Sequence, residues 1–200
     1  MNLPPGVPHR TPDSFNVTAS CRQLSHHSPS SGTPMHLTPK DHMASKLDPA
    51  WAFLSGQERH FEEGGLQGLG HGQREHAVVL PVHFPADQTS CLMAVSLLID
   101  DDEAVSVACF MFGLPPDQIQ PDDVRDACME ACNVLGGCLV KSANDAHTVE
   151  IGLPQEIEMS RFLALQQHAH ESVTFMSDDH QGRRIVVTVF DAVEQSLLGA

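Results

Sequence analysis

A carboxylate and a carboxamide stand one helical turn apart in the segment Asp126-Ala-Cys-Met-Glu130-Ala-Cys-Asn133-Val-Leu-Gly136-Gly137-Cys138. At about 100° per residue, Asp126, Glu130, Asn133 and Gly137 fall within an arc of about 60° on a helix. Ala127, Ala131, Val134, Leu135 and Cys138 occupy a separate apolar arc. Such a helix buries one face and turns a narrow polar stripe away from it. The stripe is poorly composed for stability. Asp126 and Glu130 are like charges at i,i+4, which costs about 0.2–0.5 kcal/mol. Gly136 and Gly137 each cost about 1 kcal/mol relative to Ala in a helix interior. A surface kept only for solubility usually shows Glu/Lys pairs instead. Small residues beside a carboxylate and an amide leave room for something to approach. On geometry alone, a solvated face and a working site both remain open.

Other chemistry-bearing residues have simpler readings. Cys128 and Cys132 are at i,i+4, and with Cys138 they outline a metal site on paper. Helical Cys-x3-Cys is not a zinc spacing, and small buried thiols are the expectation. His26-His27, His36 and His42 lie in an N-terminal tail, and His76, His83, His168 and His170 are scattered over element ends, so solvated imidazoles are expected and no metal site. Asp100-Asp101-Asp102 reads as a solvated turn. The Gly64–Gly72 stretch lacks the Lys-Ser/Thr of a phosphate-binding loop and follows no strand. No Ser–His–Asp, Cys–His or dinucleotide-binding pattern is present.

The elements that must position the stripe come from periodicity and breakers. Pro121-Asp122-Asp123 starts a helix that runs to about Val140, since acids and Pro suit a helix N-terminus. A second helix is expected over Glu156–His168, after the Gly152-Leu-Pro154 break. His76–Phe84 is a β-branched run whose Pro81 assigns it to a sheet edge. Ser90–Ile99 and Glu103–Phe112 read as a hairpin turning at Asp100–Asp102. Thr148–Leu153, Ser172–Met176 and Arg184–Phe190 are further strands. Paired strands with two intervening helices indicate an α+β domain with a mostly antiparallel sheet. Its expected extent is 76–197. Residues 1–49, rich in Pro, Ser and His, read as a disordered tail. Residues 50–75 read as a short helix over 50–63 and a Gly-rich linker.

Composition excludes several functions. The chain has 200 residues, a net charge of −15, 41% apolar residues and only 5% aromatic ones. Residues 1–75 hold six basic against seven acidic residues, and residues 76–200 hold five against nineteen, so the domain carries most of the charge. An acidic surface does not suit phosphate backbones or anionic lipid, so neither nucleic acid nor membrane is an expected partner. No run of about 18 apolar residues is available to span a bilayer. The N-terminus lacks the basic and apolar regions of a secretory signal. Reduced thiols and a cytoplasmic location follow as expectations.

The spacing Asp126-x3-Glu130-x2-Asn133, with Pro154 twenty intervening residues beyond Asn133, resembles the signature of the CheC/CheX/FliY chemotaxis phosphatases. The flanks Glu-x2-Asn-x2-Gly-Gly and Ile151-Gly-Leu-Pro154 fit it too, with a slightly shorter Asn-to-Pro gap. Only one Glu-x2-Asn is present, which makes the single-site CheX branch the nearer match. The resemblance implies a CheX-like domain that removes the aspartyl phosphate from a phosphorylated response-regulator receiver domain. In that scheme Asn133 positions the attacking water and Glu130 binds the receiver's Lys. Asp126 supports the helix start. Mg²⁺ sits in the receiver, and the chain needs no cofactor of its own. The resemblance also implies a homodimer. Two other readings stand beside it. One is a non-catalytic module of the same fold that docks a signalling partner. The other is an assembly protein pairing through an edge strand at Arg184–Phe190.

Overall fold

A computed structural model of the protein describes residues 40–65, 75–83, 92–143, 149–180, 182–193 and 195–198. All belong to one unit, His36–Ala200. The expected disordered tail up to residue 39 and most of the Gly-rich linker lie outside these residues, as do Cys21 and Cys91.

The chain runs α1 (Lys40–Ser55), β1 (Glu62–Glu63), β2 (Glu75–His83), β3 (Leu92–Asp100), α2 (Asp101–Phe112) and a 3-10 turn at Pro116–Gln118. It continues through α3 (Pro121–Ala143), β4 (Glu150–Ile151), β5 (Gln155–Ile157), α4 (Met159–His168), β6 (Glu171–Asp178), β7 (Arg184–Val193) and α5 (Gln195–Leu198). The strands form one sheet in the order β1-β6-β7-β3-β2-β4, with β5 also on β2. Every described pairing is antiparallel.

Both faces of the sheet are covered, which explains why its strands read as continuous apolar runs rather than alternations. On one face, Ala77, Val79, Ala94, Leu98, Val186 and Phe190 pack with Phe162 and Leu165 of α4 and Leu198 of α5. On the other, α3 lies against β2 and β3, and α1 and α2 pack on α3. Gly136 lets α3 come close: a Cβ there would sit 2.4 Å from Leu80 Cδ2.

Five expectations need correction. Glu103–Phe112 is helix α2, not the second strand of a hairpin. Its buried residues, Glu103, Ala104, Val107 and Ala108, recur at helical spacing. Asp100 ends β3 and stands at the N-cap of that helix, Asp101 and Asp102 with Glu103 form its acidic first turn, and Gly113 caps its end with φ 66°. Second, Arg184–Phe190 is not an edge, because β7 lies between β6 and β3. The assembly reading based on that edge therefore has no free strand to use.

Third, β2 is also interior despite Pro81. The Pro81 carbonyl accepts the Gly152 N–H at 2.8 Å. Nitrogen and carbonyl of one strand residue point to the same side, so the imide nitrogen faces the break between β4 and β5, where no ladder bond is lost. Fourth, the helix expected over 50–63 is α1, which begins at Lys40 and contains Pro49. Met43, Leu47, Trp51 and Leu54 are buried along one side of it. That burial outweighs a Pro penalty of about 3 kcal/mol. The second expected helix also starts later, at Met159, because Gln155–Ile157 pairs with β2.

Candidate functional site

The candidate stripe is built on α3, and local chemistry fixes where that helix starts. Pro121 occupies the first turn, where a missing N–H is harmless. Asp123 reaches back, its Oδ2 accepting the Gln120 N–H at 2.8 Å, which is the carboxylate half of a capping box. From that start, the buried residues Val124, Ala127, Cys128, Ala131, Cys132, Leu135 and Leu139 set the rotation of the helix. Asp126 and Glu130 are left exposed, and Asn133 and Gly137 are half-buried.

Glu130 and Asn133 are brought together. Asn133 Nδ2 donates to Glu130 Oε2 at 3.4 Å, a long bond that presets both side chains without locking them. Asp126 stands one turn earlier, 4.0 Å from the Arg125 guanidinium, which also lies 3.2 Å from Asp122. A Cβ on Gly137 would meet nothing within 4 Å. The stripe thus offers an anionic oxygen, a carboxamide and open space on a rigid helix.

The thiols face the opposite way. Burial pushes Cys128 and Cys132 up to about 12, so both stay protonated. Cys132 Sγ lies 3.8 Å from the carbonyls of Val78 and Val95, under the sheet. Among the described residues, no group of three His, Cys, Asp or Glu could hold a metal ion. His76 instead bonds Asp101 at 2.8 Å.

Two features were not legible from the sequence. The first is an aromatic groove that shares Asp126 and Glu130 with the stripe and is walled by Phe53, Phe110 and Phe112. A strand over Glu103–Phe112 would not bring these rings together. The second is a buried ion network. Glu103 Oε2 lies 2.9 Å from Arg59 and 3.1 Å from Arg183. Asp179 lies 3.3 Å from Arg59 and 2.7 Å from Arg183. It ties the start of α2, whose other end carries Phe110 and Phe112, to the segment after α1 and the β6–β7 turn. An acid at the start of an apolar helix was the available signal.

No family model matches the sequence, and no curated protein matches it. Solved structures do. A chain of the CheX–CheY–BeF3–Mg²⁺ complex from Borrelia burgdorferi superposes with TM-score 0.56 at 14% identity, over 76% of this chain and 96% of that one. A CheC-like superfamily protein from Shewanella sp. PV-4 also gives 0.56, at 11% identity, over 76% and 95%. The protein has the CheX/CheC-like fold. A chemotaxis protein CheX from Vibrio vulnificus gives 0.52 at 11% identity, over 74% and 95%. At such identities the likeness covers the fold alone. Across this CheX/CheC-like domain, no helix among the described residues is long and apolar enough to cross a membrane.

Proposed function

We propose that the protein hydrolyses the aspartyl phosphate of a CheY-like receiver domain. The observation that supports this reading is the Glu130–Asn133 pair, adjacent and solvent-facing on α3 of a CheX/CheC-like fold. Asn133 enters the receiver's phosphorylation pocket and orients a water in line with phosphorus. The water oxygen bonds to phosphorus as the bond to the aspartyl oxygen breaks, giving inorganic phosphate and a free carboxylate. Glu130 pairs with the receiver's Lys and fixes the docking register. Neither group needs to be a strong base, because phosphoryl transfer depends on positioning and charge stabilisation. The receiver would hold the Mg²⁺, which would supply charge neutralisation at the phosphoryl oxygens. A second copy would pair through β1 or the β4–β5 edge, where Ile151 and Leu153 are exposed.

The test is the decay of native phospho-receivers with and without the protein. Wild type shortens the half-life, and Glu130→Ala/Asn133→Ala loses about a hundredfold or more of that effect with an unchanged circular dichroism spectrum. Unassisted decay of every native receiver in the presence of excess wild type refutes catalysis.

The acidity of residues 76–200 favours one alternative: a module of the same fold that docks a receiver without hydrolysis. A receiver's phosphorylation pocket is itself acidic, and like charges slow encounter. Phosphorylation-dependent binding that leaves the decay rate untouched is its mark.

A further inference from the structure

The described phenylalanines divide sharply. Phe61, Phe162, Phe175 and Phe190 are buried, whereas Phe53, Phe110 and Phe112 are 77%, 54% and 45% exposed. All three exposed rings line the single groove that also contains Glu130. Its walls are the C-terminal ends of α1 and α2, and its floor is Ala127 and Val134 of α3.

The groove is built into the fold. Gly56 ends α1 at φ 67°, and a Cβ there would lie 2.4 Å from Phe110 Cε2. The missing side chain lets the Phe110 ring lie against the end of α1. The buried Glu103 network holds the other end of α2.

Its charge is one-sided. Asp126 and Glu130 line it, and among the described residues no basic one does. The helices α1 and α2 both end there, and neither has a basic residue in its last turn. Two helix C-termini therefore add negative potential to two carboxylates. An occupant must bring apolar surface for the rings and positive charge for the rim.

We propose that this groove takes an apolar side chain flanked by a Lys or Arg on the receiver surface beside the phosphorylated aspartate, and so selects which receiver is bound. The inference rests on the phosphatase or docking reading of Glu130 and Asn133 and adds the residues that choose the partner. Glu130 joins the two functions, since it belongs to the stripe and to the groove. A receiver engaged at Asn133 must lay its neighbouring surface across the rings. Aromatic side chains, Phe included, are enriched where proteins meet.

The test uses the full chain and a receiver loaded with beryllofluoride, a stable mimic of the aspartyl phosphate. Affinity is measured for wild type, Phe53→Ala/Phe112→Ala, Asn133→Ala and the control Leu163→Ala, an exposed apolar residue on α4. Urea unfolding checks that each variant is folded. The Phe double variant weakens binding tenfold or more and raises KM for the phospho-receiver by a similar factor, while Leu163→Ala changes neither. Asn133→Ala lowers kcat more than affinity. An unchanged affinity in the Phe variant overturns the groove and leaves the phosphatase reading intact. Receiver binding without faster decay, lost in the Phe variant, supports the groove and removes catalysis. A Phe variant that converts a dimer to a monomer with unaltered receiver affinity assigns the groove to a second copy and overturns the proposal. Failure of every native receiver to bind wild type overturns both readings.

Discussion

Gly136 and Gly137 are neighbours in one helix, and the structure assigns opposite signs to the same substitution at each. In Gly137→Ala the new Cβ meets nothing within 4 Å. Only the backbone term remains, and Ala is better than Gly in a helix interior by about 0.5–1 kcal/mol. In Gly136→Ala the same gain is opposed by a Cβ 2.4 Å from Leu80 Cδ2 and 3.5 Å from Val95 Cβ. Leu80 and Val95 are both fully buried in the two strands under α3. Relief must come from displacing Leu80 within a packed core or from lifting α3, and overpacking of this kind costs about 1–3 kcal/mol. The net effect is a loss of up to about 2 kcal/mol, and because the backbone gain is common to both variants they should differ by the overpacking cost alone, about 1–3 kcal/mol. Equilibrium urea unfolding followed by far-ultraviolet circular dichroism reads this directly. Shifts of the same sign in both variants would refute the packing of α3 described above. Gly137 also lies one turn beyond Asn133 on the open stripe. Gly137→Ala is therefore expected to slow receiver dephosphorylation while it stabilises the fold, a trade seen where a site forgoes local stability.

Two further outcomes follow from buried groups. Glu103→Gln removes the buried carboxylate shared by Arg59 and Arg183, and breaking a fully buried pair should cost about 3–5 kcal/mol with little salt dependence; Arg125→Ala, on an exposed pair, should cost under about 0.5 kcal/mol in the same urea titration. Cys128 and Cys132, raised by burial to about 12 from 9.0, should resist thiol reagents at pH 8 in peptide mapping by mass spectrometry, and fold stability should fall as pH rises above 9.0, where only the unfolded chain releases those protons; rapid labelling of either thiol in the folded protein would contradict the rotation of α3.

How much was legible depended on whether a signal was local. The start of α3 was readable because Pro121, Asp122 and Asp123 act within one turn, and the structure shows Asp123 accepting the Gln120 N–H there. The outward placement of Glu130 followed from periodicity, since apolar residues on the other arc settle which side is buried. The same acidic-start signal is present at Asp100–Asp102, but the flanking apolar runs have strand-like composition and make it look like a turn. A buried helix and a buried strand cannot be told apart by hydrophobicity alone. The rule that places a strand Pro at a sheet edge holds for an unbroken neighbouring strand. The gap between β4 and β5 that accommodates Pro81 is a property of the assembled sheet.

The sequence by itself therefore determined an α+β chain with an antiparallel sheet, the helix that carries Asp126, Glu130 and Asn133, and the outward face of that helix. These depend on residues within a few turns of one another. Only the tertiary structure decided that β7 and β2 are interior, that α1 extends back to Lys40, and that Phe53 and Phe112 share a groove with Glu130. Those facts join segments dozens of residues apart. They depend on which apolar faces meet across the sheet and between helices, and no local pattern of residue types encodes that choice.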